Sequence, residues 1–309
     1  MERSGKADRA AGAQAEKQYA VITHQQALKA GLTHEQIQWR RRTGRWESTA
    51  ARQVYTMAGA RKTWQQSAMV AVLAGPPGTV ASHLTVAALL DLAKPPEVPH
   101  VTVPPTASGR YRGAVVHWSP LQPVDVCVVA NIPCTTPARM LVDCAAVLGH
   151  PALCELVDQT LFRHADARRV REAMRRAGRA PGRRGLPSLE EALAVWTPGP
   201  KPGSPAEMRL VRHLHRLGFP LPERQWKVRD ADGRLVAKID LAWPRWMLGL
   251  EYDGEAFHGP RRWGPDDERQ DRLAALGWQI GRVTKRDLGP GSSAVEDWLA
   301  PRLPRNRAA

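Results

Sequence analysis

The stretch KIDLAWPRWMLGLEYDG, residues 238–254, decides how the C-terminal part of the chain is expected to fold. Asp240 lies within an apolar run, and Glu251 ends a second run that is almost wholly apolar. Such runs are typical of buried strands, and neighbouring strands lie about 5 Å apart. Because strand side chains alternate between faces, Glu251 and Asp253 share one face. The stretch therefore predicts two adjacent strands whose acids can meet at one point.

The sequence on either side of this stretch completes a small α/β domain over residues 204–300. Ser204 and Pro205 suit the N-cap and first position of a helix that ends at Gly218. Later elements follow from apolar runs and turn residues. The expected strands cover 225–229, 235–242, 247–252 and 278–284, and a further helix covers 266–276. We interpret the Arg- and Asp-rich face over 266–272 as solvated.

The acids of this domain suit a magnesium site. Carboxylates placed together repel each other unless a cation joins them. Mg²⁺ prefers oxygen ligands and is usually held by one or two carboxylates together with substrate phosphate. Asp240 and Glu251 are the expected ligands, Glu207 on the preceding helix adds a third, and Asp253 belongs to the same catalytic group. His258 follows as a candidate general acid/base, and the whole set suits phosphodiester hydrolysis.

Each of these residues also has a structural interpretation. Asp240 could form an ion pair with Lys238 or Arg282. Glu251 and Asp253 could be the polar end of a strand followed by an Asp-Gly turn. Glu207 is a favourable acid in a first helical turn, and His258 could be a loop histidine. The clustering favours the functional interpretation, because perturbed carboxylate clusters mark sites.

Four segments of this domain resemble a known family. SPAEMRLVRHLHRLGFPLPERQWKV, KIDLAWP, LGLEYDGEAFHG and DRLAALGWQIGRVTKRDL resemble the domain of unknown function related to very-short-patch-repair endonucleases. The resemblance implies a restriction-endonuclease-like fold and carries over the acids and His258 as site residues. It departs from the wider superfamily at Asp253, where a lysine is common. Arg282 or Lys285 would then supply the basic group.

The N-terminal part has a different pattern. Residues 1–16 are expected to be a disordered tail. Within residues 17–59, Thr23 and Thr33 each precede a glutamine by three residues, which predicts two short helices with capping boxes. The segment from Trp46 to Met57 is expected to form a β-hairpin. The order predicts a winged helix-turn-helix.

This N-terminal pattern also resembles a known family. THQQALKAGLTHEQIQWRRRTGRW, QVYTMAG and IPCTTPARMLVDCAAVL resemble AbiEi-type antitoxins of type IV toxin–antitoxin systems, over residues 17–175. Residues 60–175 are expected to be a mixed α/β segment of the same kind. Residues 176–203 are expected to be a linker rich in Gly, Pro and Arg, with one possible helical turn at Leu189–Trp196. The resemblance implies DNA binding and a cognate toxin as a partner.

A recognition helix reads bases near its N-terminus, and phosphate contacts position it. We expect base contacts from His34, Glu35 and Gln38, with Arg41 at their edge, and phosphate contacts from Arg40, Arg42 and Arg45. Trp39 is expected in the core. A basic helical face without any partner remains the alternative.

Composition narrows the class of protein. The net charge of +15 favours a polyanionic partner, of which nucleic acid is the commonest, although a coding bias toward Arg also explains it. The four cysteines lack metal-site spacing and are expected to be free thiols in a reducing compartment. No apolar run is long enough for a membrane span, and the N-terminus lacks a signal peptide, so a cytoplasmic location is expected.

Three functions follow from these observations. The first is a DNA-directed, Mg²⁺-dependent endonuclease with an N-terminal DNA-binding module. The second is a non-enzymatic, antitoxin-like transcriptional regulator with a degenerate nuclease domain. The third is a protein-interaction scaffold whose basic character comes from bias. An intact acidic cluster favours the first, and the aspartate in place of lysine at 253 favours the second.

Overall fold

The computed structural model describes residues 2–109, 111–178, 185–253, 265–289 and 291–305. Within these ranges the protein is a mixed α+β chain with three sheets. It divides into two compact units, residues 1–160 with 164–190 and residues 161–163 with 191–309. No helix among the described residues has the length and apolar character that crossing a membrane requires.

The first unit begins with a helix, α1 (Glu2–Glu16). Ala7, Ala11 and Ala15 repeat every four residues and are buried. Their stripe packs into a cluster that includes Ile37. The expected disordered tail over residues 1–16 is therefore wrong, because a face of small residues with high helix propensity finds a partner surface.

Two short helices and a three-stranded antiparallel sheet follow α1. The elements are β1 (Val21–Thr23), α2 (His24–Lys29), α3 (His34–Arg42), β2 (Trp46–Ser48) and β3 (Val54–Met57), with sheet order β1-β3-β2. Both capping boxes are confirmed: Thr23 and Thr33 each accept from the backbone of the glutamine three residues on, which returns the bond. The hairpin β2–β3 is also confirmed.

The rest of the first unit surrounds a five-stranded mixed sheet of order β6-β5-β4-β8-β7. Its elements are α4 (Trp64–Ala74), β4 (Val80–Ala81), α5 (His83–Leu89), β5 (His100–Val103), β6 (Val115–Trp118), β7 (Val126–Val129), β8 (Ile132–Thr135), α6 (Pro137–Cys144), α7 (His150–Arg163), α8 (Ala167–Ala177) and α9 (Leu186–Ala194). Helix α7 ends in the second unit, and the division between the units runs through α9. All four cysteines are free.

The segment expected to be a linker, residues 176–203, contains the ordered helix α9. Leu189, Ala192 and Leu193 of α9 are fully buried. Gly185 opens this region so close to Ala145 that a Cβ would lie 1.6 Å from the Ala145 carbonyl oxygen. The glycine therefore permits a close approach of backbone. The possible helical turn at Leu189–Trp196 overlaps α9, but the buried face of this helix is packed and is not a linker.

The second unit contains a four-stranded sheet of order β12-β11-β10-β9. Its elements are α10 (Pro205–Arg216), β9 (Glu223–Arg229), β10 (Leu235–Trp243), β11 (Leu248–Tyr252), α11 (Pro265–Ala275), β12 (Gln279–Val283) and α12 (Ala294–Leu299). The expected order of helices and strands over residues 204–284 is confirmed. Strands β9, β10 and β11 are antiparallel, and β12 runs parallel to β11. Leu273 and Trp278 pack with Ile239 and Ala242 into the core on the α11 side.

Candidate functional site

Strands β10 and β11 place Asp240 and Glu251 at neighbouring positions. Leu241 pairs with Leu250 in the antiparallel register, so Asp240 and Glu251 occupy the next position on each strand. The Tyr252 backbone N–H donates to Asp240 Oδ2 at 3.2 Å, which ties Asp240 to the end of β11. The backbone therefore places the two acids opposite each other on neighbouring strands, as the sequence predicts.

Helix α10 brings Glu207 to Asp240. Ser204 caps the helix by accepting from the Glu207 backbone N–H at 3.2 Å, which places Glu207 in the first turn. The Glu207 side chain accepts from the Gly203 N–H at 2.7 Å, and the residue is 5% exposed. A Cβ at position 203 would lie 2.7 Å from Glu207 Oε1, so glycine allows this carboxylate to approach the backbone.

Gln225 joins the two carboxylates. Its Nε2 donates to Glu207 Oε2 at 3.0 Å and to Asp240 Oδ1 at 3.1 Å. An amide nitrogen carries two hydrogens, so one amide serves both acids. Gln225 has φ +54°, an unusual backbone conformation for a strand residue other than glycine. Trp226 pairs with Ile239 and Arg224 with Leu241, so the register places Gln225 opposite Asp240. Sequence reasoning did not identify this residue.

The electrostatic state of Glu207 reflects this crowding. Burial raises its pKa above the ordinary range, the Gly203 N–H opposes the shift, and the charge of Asp240 adds to it. Hydrogen bonds from Gln225 and Ser204 oppose it further. The net rise means that the environment disfavours a second negative charge beside Asp240. A proton or a cation at this point would relieve the repulsion.

Glu251 has a different partner. Arg269 of α11 forms an ion pair with its carboxylate and also donates to the Lys238 carbonyl oxygen at 3.2 Å. The side chain of Glu251 is 15% exposed and that of Arg269 is 27% exposed. The helix face around residue 269 is therefore not simply solvated, which corrects the interpretation from the sequence.

The remaining candidates are placed as follows. Asp253 follows β11, is half-buried, and its backbone N–H donates to the Val283 carbonyl oxygen at 2.8 Å. Arg282 pairs in register with Glu251, and both Arg282 and Lys285 are exposed. His258 lies outside the described residues, so its expected role stays a prediction.

The acids do not form a closed metal site. Within the described part of the chain, no three carboxylates have ligand atoms that all lie within 4.8 Å of one another. Instead, Glu207 and Asp240 share hydrogen bonds from the Gln225 amide, and Glu251 forms an ion pair with Arg269. The group that does meet this distance is His83, His100 and His117 of the first unit, which sequence reasoning missed.

The N-terminal helices present a basic face. Six of the residues expected to contact DNA are exposed, namely His34, Glu35, Gln38, Arg41, Arg42 and Arg45. His34 Nδ1 lies 2.8 Å from His24 Nε2, and the two rings stack. Open grooves run along α3, and their lining combines arginines with the acids Asp8, Glu35 and Glu47. The helix and hairpin therefore expose the charges that a nucleic-acid interface requires.

Two expectations for this face are wrong. Arg40 is 6% exposed and forms an ion pair with Asp8 of α1, because the unexpected helix α1 covers it. It is therefore not available for phosphates. Trp39 is 42% exposed rather than buried, and the Arg45 guanidinium lies 4.7 Å from its ring centroid.

Comparison with known proteins adds no family to this geometry. No protein-family model matches the chain, and no curated protein matches it. The two resemblances described from the sequence therefore stay predictions, and the function rests on the residues themselves.

Proposed function

We propose that the protein binds DNA through α3 and the β2–β3 hairpin and that its second unit hydrolyses phosphodiester bonds with Mg²⁺. The observation that carries the enzymatic part is the Glu207–Gln225–Asp240 group, in which one amide holds two carboxylates. This group lies beside the end of β11, where the resemblance to restriction-type nucleases expects the site.

The donor set fits magnesium. Glu207 and Asp240 supply carboxylate oxygens, and burial together with the charge of Asp240 raises the pKa of Glu207. Mg²⁺ prefers oxygen ligands and is commonly held by one or two carboxylates. When bound, it would lower the pKa of a water and neutralise charge that develops on the phosphate. The Tyr252 N–H fixes Asp240, and the Gly203 N–H fixes Glu207.

The ion pair with Arg269 means that Glu251 can join the acidic site only when Arg269 is engaged elsewhere. In the structure Arg269 neutralises this carboxylate. A DNA phosphate competes for the same guanidinium, because arginine binds phosphate and carboxylate with similar bidentate geometry. Transfer of Arg269 to the phosphate would leave Glu251 with an unpaired charge beside Asp240. On this proposal the substrate completes the acidic site and positions itself in the same step.

The DNA-binding part rests on exposure and charge. Arg41, Arg42 and Arg45 are exposed, and Arg41 is held by Ser48 Oγ of the hairpin at 3.2 Å. This contact links the helix to the hairpin in one basic surface. His34 and Gln38 lie earlier on α3, where a recognition helix contacts base edges.

The test is a cleavage assay on the full chain with supercoiled plasmid DNA and either Mg²⁺ or Mn²⁺. Asp240→Asn should abolish cleavage and keep DNA binding measured with chelator present. Asp232→Asn is the matched control, since Asp232 lies exposed in the β9–β10 turn and should leave cleavage unchanged. Cleavage that survives Asp240→Asn would refute the proposed site.

A non-enzymatic, antitoxin-like regulator is the second candidate. The ion pair between Glu251 and Arg269 favours it, together with Asp253 at the position where a lysine is common. On this alternative the second unit only binds nucleic acid. The intact chain would then shift DNA in a mobility assay with either metal present and would cut none of it, and a cognate toxin would be the partner to seek.

A further inference from the structure

The five-stranded sheet of the first unit brings three histidines together. Val101 of β5 pairs with Val116 of β6, and Thr102 pairs with His117. His100 lies two residues before Thr102 on the same strand, so His100 and His117 share one face. His83 at the start of α5 joins them, because the Ser82 N–H donates to the His100 carbonyl oxygen at 3.0 Å.

The rings are in close contact. His100 Nδ1 and His117 Nε2 lie 3.0 Å apart, and the His83 and His117 rings stack with centroids 3.6 Å apart. One ligand atom from each histidine lies within 4.8 Å of the others. Zinc–nitrogen bonds of about 2.0–2.1 Å in a tetrahedral site imply nitrogens about 3.3 Å apart. The three nitrogens therefore lie close enough to share one ion once the stacked rings turn so that their in-plane lone pairs converge on it.

The backbone and the outer contacts hold His83 toward this group. His83 has φ +52°, which is uncommon for a residue other than glycine. Ser82 occupies the N-cap of α5, yet its hydroxyl makes no cap hydrogen bond and lies 2.9 Å from His83 Nδ1. This contact leaves His83 Nε2 available to a ligand. An oxygen on the second nitrogen is the arrangement common around metal-binding histidines.

The Thr102 hydroxyl is a further polar group beside the histidines, and it indicates a bound ligand there. Thr102 is 1% exposed, and its hydroxyl has no hydrogen-bond partner among the described residues. Because Thr102 pairs with His117 in the sheet register, this hydroxyl lies on the face of the histidines. Buried hydroxyls are normally hydrogen-bonded, so the unpartnered one suits a water or anion on a metal ion.

A cationic side chain near the three histidines is already paired with acids. The nearby Arg139 is itself neutralised by ion pairs with Asp125 and Asp143.

We propose that His83, His100 and His117 bind one divalent transition-metal ion of the zinc class, with a fourth position open to water. Three imidazole nitrogens suit Zn²⁺ and exclude Mg²⁺, which requires oxygen ligands. This site is separate from the carboxylates of the second unit and does not depend on the proposed nuclease activity.

The experiment uses the full chain after removal of metals with a chelator. One equivalent of Zn²⁺ should remain bound through gel filtration, and Co²⁺ should give a visible spectrum without a thiolate charge-transfer band. His117→Gln, with its fold checked by circular dichroism, should weaken Zn²⁺ binding at least about tenfold, because even the loss of an outer partner costs about 10- to 100-fold.

The control is His34→Gln, which removes a histidine from the His24–His34 pair and should leave Zn²⁺ affinity unchanged. A thiolate band would assign the metal to the Cys127–Cys134 pair, whose sulfurs lie 3.6 Å apart, and would overturn the proposal. Absence of bound Zn²⁺ after gel filtration, or equal affinity of the His117→Gln chain, would overturn it as well.

Discussion

Replacing Arg41, Arg42 and Arg45 together with glutamine should flatten the salt dependence of DNA binding. All three side chains are exposed on the basic face of the first unit. Each phosphate contact contributes about 0.9 to the slope of log affinity against log salt, so three contacts contribute about 2.7. Between about 50 and 200 mM salt, that difference corresponds to about 40-fold in affinity.

One arginine of α3, Arg40, is not included in this triple variant. Arg40 is buried against Asp8, so Arg40→Gln should leave the slope unchanged while it destabilises the fold. Fluorescence anisotropy with a DNA duplex at several salt concentrations measures the slope. The exposed arginines of α8 provide a control with the same change of charge, namely Arg168→Gln, Arg169→Gln and Arg175→Gln. Equal slopes for the two triple variants would refute an interface on α3.

Three further predictions concern single residues. Thr33→Ala removes the hydroxyl that accepts from the Gln36 N–H and should lower the free energy of unfolding by about 1 kcal/mol in urea denaturation; no change would show that the capping box adds nothing. Arg269→Met releases Glu251 from its ion pair and should strengthen Mn²⁺ binding in the absence of DNA, measured by titration calorimetry; weaker binding would contradict the conditional role of Glu251. Burial, and then the charges of His34 and Arg41, lower the pKa of His24 in the folded chain below its ordinary value. As the pH falls, His24 therefore binds a proton more readily in the unfolded chain than in the folded one. The folded state should lose stability as the pH drops through about 6.5, the ordinary pKa of histidine. His24→Gln should reduce that fall in thermal melts at pH 7 and pH 5, and an unchanged fall would show that His24 does not contribute.

The strands of the second unit could be predicted because their signal is local. The run that ends at Glu251 is apolar, and alternation assigns its faces without reference to other segments. The N-caps at Thr33 and Ser204 follow from residue type and spacing in the same way. Their prediction needed no knowledge of tertiary contacts.

The contacts of the site could not be predicted from local pattern. Gln225 joins Glu207 to Asp240 because the register of β9 with β10 places it opposite Asp240, and residue type alone does not reveal that register. Arg269 lies among charged residues that are typical of an exposed helix, yet it pairs with Glu251 on a neighbouring element. Both roles depend on tertiary packing.

Two larger features, helix α1 and the histidine cluster, could not be predicted from the sequence for a related reason. The alanines of α1 are only weakly apolar, so the sequence of this segment looks like that of a polar, disordered tail. Their burial becomes clear only from the core cluster that they join. His83, His100 and His117 are separated by many residues, and they meet only through the pairing of β5 with β6 and the backbone contact between Ser82 and His100. Spacing rules for metal sites detect short intervals, and these intervals are long.

We propose that Glu207 and Asp240 hold a divalent ion beside the end of β11. Anomalous diffraction from crystals of the full chain grown with Mn²⁺ tests it most directly. We expect a peak in contact with Asp240 and Glu207, with the Gln225 amide displaced from at least one carboxylate. Absence of a peak at these acids, with the Gln225 amide still bonded to both, would contradict it.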